Sequence, residues 1–471
     1  MAFIVYKKFG KQEYAYEMES YRDPETKKPR HRQKYLGVVV DKEKGIFEKR
    51  REKTEKKEKQ ILDYGDSYIV SEITKQLPVM NVMRNVFGEW FNTLLALIFH
   101  RIIDGSAMCH AENWYNSNYV RVLFPDAKIS SQEISRFMAY LGDESVHRAF
   151  FSSYIPTVCE GKTGVLIDST GLPNEIDMPI TDWGHHNGGI AMETRLILAV
   201  EKGSEQPLYF RYVAGNIGDV STLANTIDEM KRNGITTAYT LIDAGYYSED
   251  NLKLLYGAEI GFLIRMPANR TVYKNIITEN GDIEDFKYAV KYDKRCLFVK
   301  EIEVTLYNEH TAYAYLVLDP ERRGREISKT VLNAKEIQKT PVEVDFMNCG
   351  KFILLSSEKL ETTEVVPLYY MRQIAERMFC IAKDDLNILP LRTHSEVNFK
   401  GFMLLVFLSL ILCCAVKSRL GKDISIDKAV SILKPLRCKV YENSVVPNEV
   451  NKKQRLIFEA TDVVVPKIRG V

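Results

Sequence analysis

Two aspartates close apolar runs that read as strands: Asp168 ends VLID within GVLIDST (164–170), and Asp243 ends TLID within AYTLIDA (238–244). A strand-end acid commonly does no more than cap the strand or start a turn. If the two strands are neighbours in one sheet, however, the carboxylates come close together. Like charges at short range raise each other's pKa unless a cation lies between them. An all-oxygen carboxylate set suits Mg²⁺ or Mn²⁺ rather than zinc. A third acid, Glu376, lies in VVPLYYMRQIAERMFCIAKDDL, which reads as a helix of about five turns. Tyr369, Arg372, Glu376 and Lys383 are spaced i, i+3, i+7 and i+14 on it. At about 100° per residue they project at roughly 0°, 300°, 340° and 320°, one stripe about 60° wide. One reading is a solvent-exposed face with an Arg–Glu pair at i, i+4. The other is chemical: the acid holds a metal while Arg372 and Lys383 hold a phosphate backbone beside it.

The elements that must position these residues have a recognisable order. Strand-like runs at 164–170, 193–201 and 207–215 are followed by helix TLANTIDEMKRNG (222–234), strand 238–244, helix EDNLKLLYG (249–257) and strand IGFLIRMP (260–267). Three consecutive strands followed by α-β-α-β predict an α/β fold, a mixed sheet flanked by helices. Residues 269–363 return to β-like runs and interrupt that pattern as a β-rich insertion before the helix that bears Glu376. Upstream, FIVYKKF, YAYEMESYR and QKYLGVVV, with turn chemistry at DPETKKP, predict a small antiparallel β unit. Residues 61–155 read as a helical domain, and Ser130-Ser131-Gln132-Glu133 offers a capped helix start.

Bulk properties narrow the function class less than the motifs do. The chain has 471 residues and a formal net charge of +2, which neither requires nor excludes nucleic acid. Residues 27–59 hold 14 Lys or Arg against six acids, in KKPRHRQK and EKRREKTEKKEK. They form either a solvated hairpin and charged helix or an arm that gains DNA affinity by releasing counterions. Eight scattered cysteines lack any CxxC pair, which excludes a zinc framework or a disulfide scaffold and predicts free thiols in a reducing cytosol. The apolar stretch Phe402–Val416 is short for a bilayer span and predicts a buried core helix, so no membrane is expected. His185-His186 in DWGHHNGG lack partners at zinc spacing and read as part of a Gly-rich loop.

The spacing Y-x2-R-x3-E-x6-K at Tyr369, Arg372, Glu376 and Lys383 resembles the signature around the catalytic glutamate of DDE transposases from one large group of bacterial insertion sequences. Asp168 in LIDST resembles that family's first aspartate and Asp243 in LIDAGYYSEDNL its second. The acids lie 75 and 133 residues apart, and the long second interval is similar to members with a β-rich insertion. AGNIGDVST (214–222) also resembles a family motif at Gly215, Asn216 and Asp219, and the basic N-terminal β unit is similar to the start of related transposases. The resemblance covers nearly the whole chain.

What the resemblance implies is a ribonuclease-H-like catalytic domain over 156–268 and 364–440, with the insertion at 269–363. It further implies a basic N-terminal unit with a charged linker (1–60), a helical DNA-binding domain (61–155) and a C-terminal tail (441–471). Asp168, Asp243 and Glu376 would be catalytic, holding two Mg²⁺ or Mn²⁺ ions per active site, with Asp168 the shared ligand. Tyr369, Arg372 and Lys383 would contact DNA, and Arg392 and Lys400 are further DNA-contact candidates. Asp219 assists metal binding or forms a turn. The partners implied are double-stranded transposon terminal inverted repeats and target DNA, bound by a dimer on paired ends in the bacterial cytoplasm, associated with the nucleoid. Two rival readings share the acids: a ribonuclease-H-like nuclease without strand transfer, and a non-catalytic DNA-binding derivative.

Overall fold

The computed structural model describes residues 2–9, 12–24, 27–48, 59–159, 161–186, 189–307, 310–336, 346, 348–393, 395–442, 444–467 and 469–470. The chain divides into two compact units. The first comprises residues 1–60, 439–446 and 469–471. Its N-terminal part is an antiparallel meander of β1 (Ala2–Phe9), β2 (Gln12–Arg22), β3 (Pro29–Asp41) and β4 (Ile46–Glu48). The fourth strand is an addition to the three runs visible in the sequence. Tyr14, Tyr16 and Tyr35 cluster on one face of the meander, while the basic run occupies the exposed start of β3, where Arg30 pairs with Asp23 at 3.0 Å. The charged stretch expected as a linker falls at residues 49–58, outside the described residues.

The second unit, residues 61–438 and 447–468, holds most of the remaining elements, the C-terminal strands Ser444–Pro447 and Arg469–Gly470 falling largely in the first. After β5 (Gln60–Asp63), helices occupy most of the chain to Val158. The Ser130 side chain accepts from the Glu133 amide, as its capping position predicts. Next comes a mixed sheet, ten-stranded among the described residues. Its strands are β6 (Lys162–Pro173), β7 (Asp182–His186), β8 (Gly189–Glu201), β9 (Pro207–Ala214), β10 (Thr236–Ile242), β11 (Gly261–Met266), β12 (Ala289–Tyr292), β13 (Arg295–Leu306), β14 (His310–Leu318) and β15 (Lys351–Ser356). The run β9-β8-β6-β10-β11 is antiparallel across its first three members and parallel across β6, β10 and β11. This is the ribonuclease-H-like arrangement. β6 is the inner strand of this run, and Val165, Leu166 and Ile167 are buried in succession because helices or strands cover both faces.

Two segments differ from their sequence-level reading. Within DWGHHNGG, Asp182–His186 forms a strand rather than a loop and pairs antiparallel with the start of β8. The side chains of His185 and His186 lie outside the described residues. The strands of the β-rich segment extend the same sheet, β15 pairing antiparallel with the outer parallel strand β11 and β14 with β15. Alternation of side chains identifies strands but not the sheet edge they join. Residues 441–471 contain a helix, Lys452–Ala460, started by an Asn451–Gln454 capping box and burying Ile457 and Phe458.

The helix Glu396–Leu420 contains the apolar run and is buried along nearly its whole length, with Phe407 packed against Phe150, Phe151 and Phe210. A helix apolar all round is what a protein interior demands. It and the segment Pro78–Ile103 are long and apolar enough to cross a membrane by length and composition, but both are mostly buried within the protein. The helix Ser131–Leu141 crosses Glu396–Leu420 at paired glycines. A Cβ on Gly401 would stand 2.0 Å from the Met138 carbonyl oxygen, and one on Gly142 2.1 Å from that of Val397. Gly401→Ala is therefore expected to cost about 1–3 kcal/mol by forcing the helices apart. Urea denaturation measures this, and an unchanged midpoint would show that the crossing is not close-packed.

Candidate active site

β6 and β10 run parallel with Leu166 opposite Leu241. Two residues further along, that register sets Asp168 and Asp243 side by side just beyond the parallel pairing of β6 with β10. The apolar residues before each acid run through the interior. Asp243 directly follows the last residue of β10, whereas Asp168 lies within β6, which continues past it to Pro173 against β8 and so does not end at the acid as its apolar run suggests. Glu376 arrives on the helix Gln373–Cys380, which follows helix Thr362–Tyr370 and runs into a π-helical turn, Ile381–Asp385. The single helix expected here is thus broken into three pieces along a common course. Ile374, Ala375, Met378 and Phe379 form its buried face, so the opposite edge carries the polar stripe to the two aspartates.

One guanidinium gathers all three acids. Arg372 Nη1 donates to Asp168 Oδ2 at 3.0 Å and lies 3.8 Å from Asp243 Oδ2, while Nη2 lies 2.8 Å from Glu376 Oε1. The Arg372 side chain is 17% exposed and that of Asp168 12%, so their contact is little screened by solvent, while Asp243 and Glu376, at 40% and 48%, are screened more. Burial pushes the Asp168 carboxyl up to about 7 against the pull of Arg372 and the Ser169 amide, with Asp243 and Glu376 adding to the rise. A single guanidinium does not satisfy the cluster's demand for positive charge.

Tyr369 is only 4% exposed, and its hydroxyl donates to Asp243 Oδ1 at 3.0 Å. Burial, with Asp243 next, raises its pKa. In this arrangement it orients the aspartate and offers no ring face for stacking. Lys383 Nζ donates to Thr170 Oγ1 at 2.7 Å, and burial lowers the pKa of its ammonium group. Thr170 lies two residues beyond Asp168 and so shares its face of β6. The structure thus brings Tyr369, Arg372, Glu376 and Lys383 to the two aspartates. Arg392 instead lines a separate cleft with Arg101, and Lys400 pairs with Glu396 at 3.0 Å on its own helix.

A second polar layer backs Asp168. Asp219 Oδ1 accepts from Ser169 Oγ at 2.5 Å and from Arg195 Nη1 at 2.9 Å, and Arg195 also meets the fully buried Glu193 at 3.4 Å. Asn251 Nδ2 donates to the carbonyls of Val220 and Tyr246, tying the Asp219 turn to the loop after Asp243. Gly215 is obligatory here, since a Cβ would stand 2.4 Å from the Asp182 carbonyl oxygen, and Asn216 donates to Asp182 at 2.6 Å. Arg195 and Ser169 do not stand out in the sequence. The signal there is Glu193 and Arg195, two charges on one face of an otherwise aliphatic strand. Asp219→Ala leaves Arg195 and Ser169 without this acceptor and is expected to cost about 1.5–3 kcal/mol in urea denaturation. Wild-type stability would show that the link is incidental.

Oxygen-only donors, adjacent strands and flanking cations make an arrangement suited to phosphoryl chemistry. The family model of the transposase DDE domain matches residues 160–412. Among solved structures, the cryo-EM structure of a piggyBac transposase synaptic complex with hairpin DNA is similar at 10% identity and a TM-score of 0.40, over 79% of each chain. No curated protein matches the sequence.

Proposed function

The chain belongs to the DDE transposase family and is a DNA transposase, and on that premise we propose that Asp168, Asp243 and Glu376 are its catalytic acids. The observation that carries this reading is the convergence of all three on Arg372. The reaction proposed is cleavage of phosphodiesters at transposon ends followed by joining of the freed 3′-hydroxyls to target DNA.

The family generally uses divalent metal ions, and the residues fit them. The donors are all carboxylate oxygens, and Asp168 stays short of positive charge even beside Arg372. Among the described residues no group of three His, Cys, Asp or Glu side chains is already closed around an ion position; the guanidinium stands among the acids instead. In our reading Asp168, Asp243 and Glu376 are the residues that would hold the Mg²⁺ or Mn²⁺ ions. Such ions lower the pKa of an attacking water or hydroxyl and stabilise charge on the leaving oxygen. The chain's own groups do the positioning. Tyr369 orients Asp243, the Asp219 layer steadies β6 at Asp168, and Lys383 and a released Arg372 bind phosphate beside the scissile bond.

The Y-x2-R-x3-E-x6-K spacing supports placing the chain with bacterial insertion-sequence transposases that act in the cytoplasm on paired terminal inverted repeats as dimers. Joining decides between a transposase and a nuclease that shares the acids. A pre-cut transposon end with a free 3′-hydroxyl is incubated with the protein, Mg²⁺ and supercoiled plasmid. Covalently joined product is expected. Cleavage of uncut ends without joining, where a control transposase joins, would sink the strand-transfer reading.

A further inference from the structure

The sheet sets a third charged residue level with the two aspartates. β10 and β11 run parallel with Ile242 opposite Ile264. One residue further along, Arg265 stands opposite Asp243 on one side, as Asp168 does on the other. Neighbouring strands lie about 4.8 Å apart, and residues level with each other in a parallel pair face the same way. Arg265 thus points to the side of the sheet that carries the acids, one strand beyond Asp243. Its charge acts on the site: burial and Asp243 raise the pKa of the Tyr369 hydroxyl, and Arg265 pulls the other way.

Arg265 is partly buried, yet among the described residues its side chain makes no hydrogen bond and no ion pair; its guanidinium lies over the Phe352 ring at 5.4 Å. The Arg322 guanidinium lies over the same ring at 5.5 Å. Both arginines line a cleft of about 740 Å³ that begins at Ala244, the residue after Asp243. Lys274 and Lys351 add two cations to its wall, and among the described residues the acid there is Glu326 alone. Both oxygens of that acid are engaged, Oε1 by Arg322 Nε at 2.6 Å and Oε2 by the Gly350 amide at 2.7 Å. Four cations against one carboxylate leave an excess of positive charge, and two guanidiniums on one ring repel each other unless an anion joins them.

We propose that this cleft holds the DNA phosphate next to the scissile one, gripped by Arg265, and that Arg322 and Lys274 carry the same strand onward over the β-rich segment. The proposal rests on Asp168 and Asp243 marking where the scissile phosphate sits. One strand spacing separates Arg265 from Asp243, so a phosphate on Arg265 lies beside the one at the acids rather than at it. A phosphodiester presents two free oxygens, which match the planar fork of a guanidinium. The Phe352 ring already holds that fork in place, so little side-chain freedom is lost on binding.

The test uses the full chain and transposon-end duplexes in which single phosphates around the cleavage point are replaced by neutral methylphosphonates. Binding is measured across a salt series without divalent metal, so no cleavage intervenes. Arg265→Gln is expected to weaken binding about tenfold and to reduce the slope of log K against log salt by about 0.9. A methylphosphonate beside the cleavage point should weaken wild-type binding by a similar factor and leave Arg265→Gln unaffected. A merely structural arginine would show no such coupling to one phosphate. Lys274→Gln, a change at an exposed side chain, is expected to reduce the slope as well. It decides the matter if Arg265→Gln does not fold, and an unchanged slope there would then overturn the proposal. Wild-type affinity and slope in Arg265→Gln would also overturn it, as would coupling only to phosphates remote from the cleavage point. Asp168→Asn is measured alongside: cleavage at the wild-type rate, with the Arg265 coupling intact, would remove the acid assignment and leave the phosphate in the cleft.

Discussion

Asp168→Asn, Asp243→Asn and Glu376→Gln are each expected to lose cleavage and joining by about a thousandfold or more, the scale on which charge-handling groups act in phosphoryl transfer. DNA binding should remain, because none of the three exchanges removes a positive charge. The effects should also be non-additive. A site that needs all three acids is disabled by the first loss, so a double variant should be little worse than a single one. Asp168 should be the most sensitive position, being central in the sheet and touched by both Arg372 and the Ser169 amide. Rates measured on a labelled end duplex in Mg²⁺ check this, with binding followed by gel shift. If any one variant cleaves at the wild-type rate, that residue is not catalytic.

The second large effect concerns Arg372 in the metal-free protein. Its guanidinium is the common partner of three carboxylates, so Arg372→Gln leaves them facing one another. Only the Asp168 pair is buried, and losing its partner costs at most about 3–5 kcal/mol, while the half-exposed Asp243 and Glu376 add little. The cost depends on pH, and its sign follows from Asp168. In the folded protein its carboxyl is pushed up to about 7, from an ordinary value of 3.8. Between those values the folded state holds a proton that the unfolded chain has released. The contribution of this group to stability therefore falls as pH rises through that window and levels off above it. Without Arg372 the carboxyl loses an influence that lowers it, so the decline extends to higher pH. The variant should be close to wild type near about pH 5 and most destabilised near about pH 8. Mg²⁺ should restore stability to the variant more than to wild type, because binding to the folded state alone stabilises it by mass action. Urea denaturation at both pH values, with and without Mg²⁺, measures all of this. Equal destabilisation at the two pH values, with no response to Mg²⁺, would show that Arg372 acts through packing rather than charge.

Local patterning determined several features by itself. The 3.6-residue period placed Tyr369, Arg372 and Glu376 on one helical edge, because side chains three, four and seven apart face the same way in any helix. Apolar runs ending in aspartate marked two strands, although only Asp243 follows the end of its strand while β6 runs on past Asp168 to Pro173, and an uninterrupted apolar stretch marked the buried helix at Glu396–Leu420. What the neighbours in sequence cannot encode is which strand lies beside which, or how an edge meets a distant element. The parallel register of Leu166 with Leu241 sets the two aspartates level, and it is a product of sheet packing. Tyr369 looked like a DNA contact in the helical stripe, yet the sheet covers it and turns its hydroxyl to Asp243. Asp219 opens a turn, as its sequence context suggests, and only the fold shows that Ser169 and Arg195, from two different strands, close on its carboxylate. Asp168 and Asp243 were two strand-end acids and Glu376 a polar position on a helix. The i, i+4 spacing already paired Glu376 with Arg372, but only the tertiary structure brought the two aspartates to that guanidinium, because strand neighbours are set by packing rather than by local sequence.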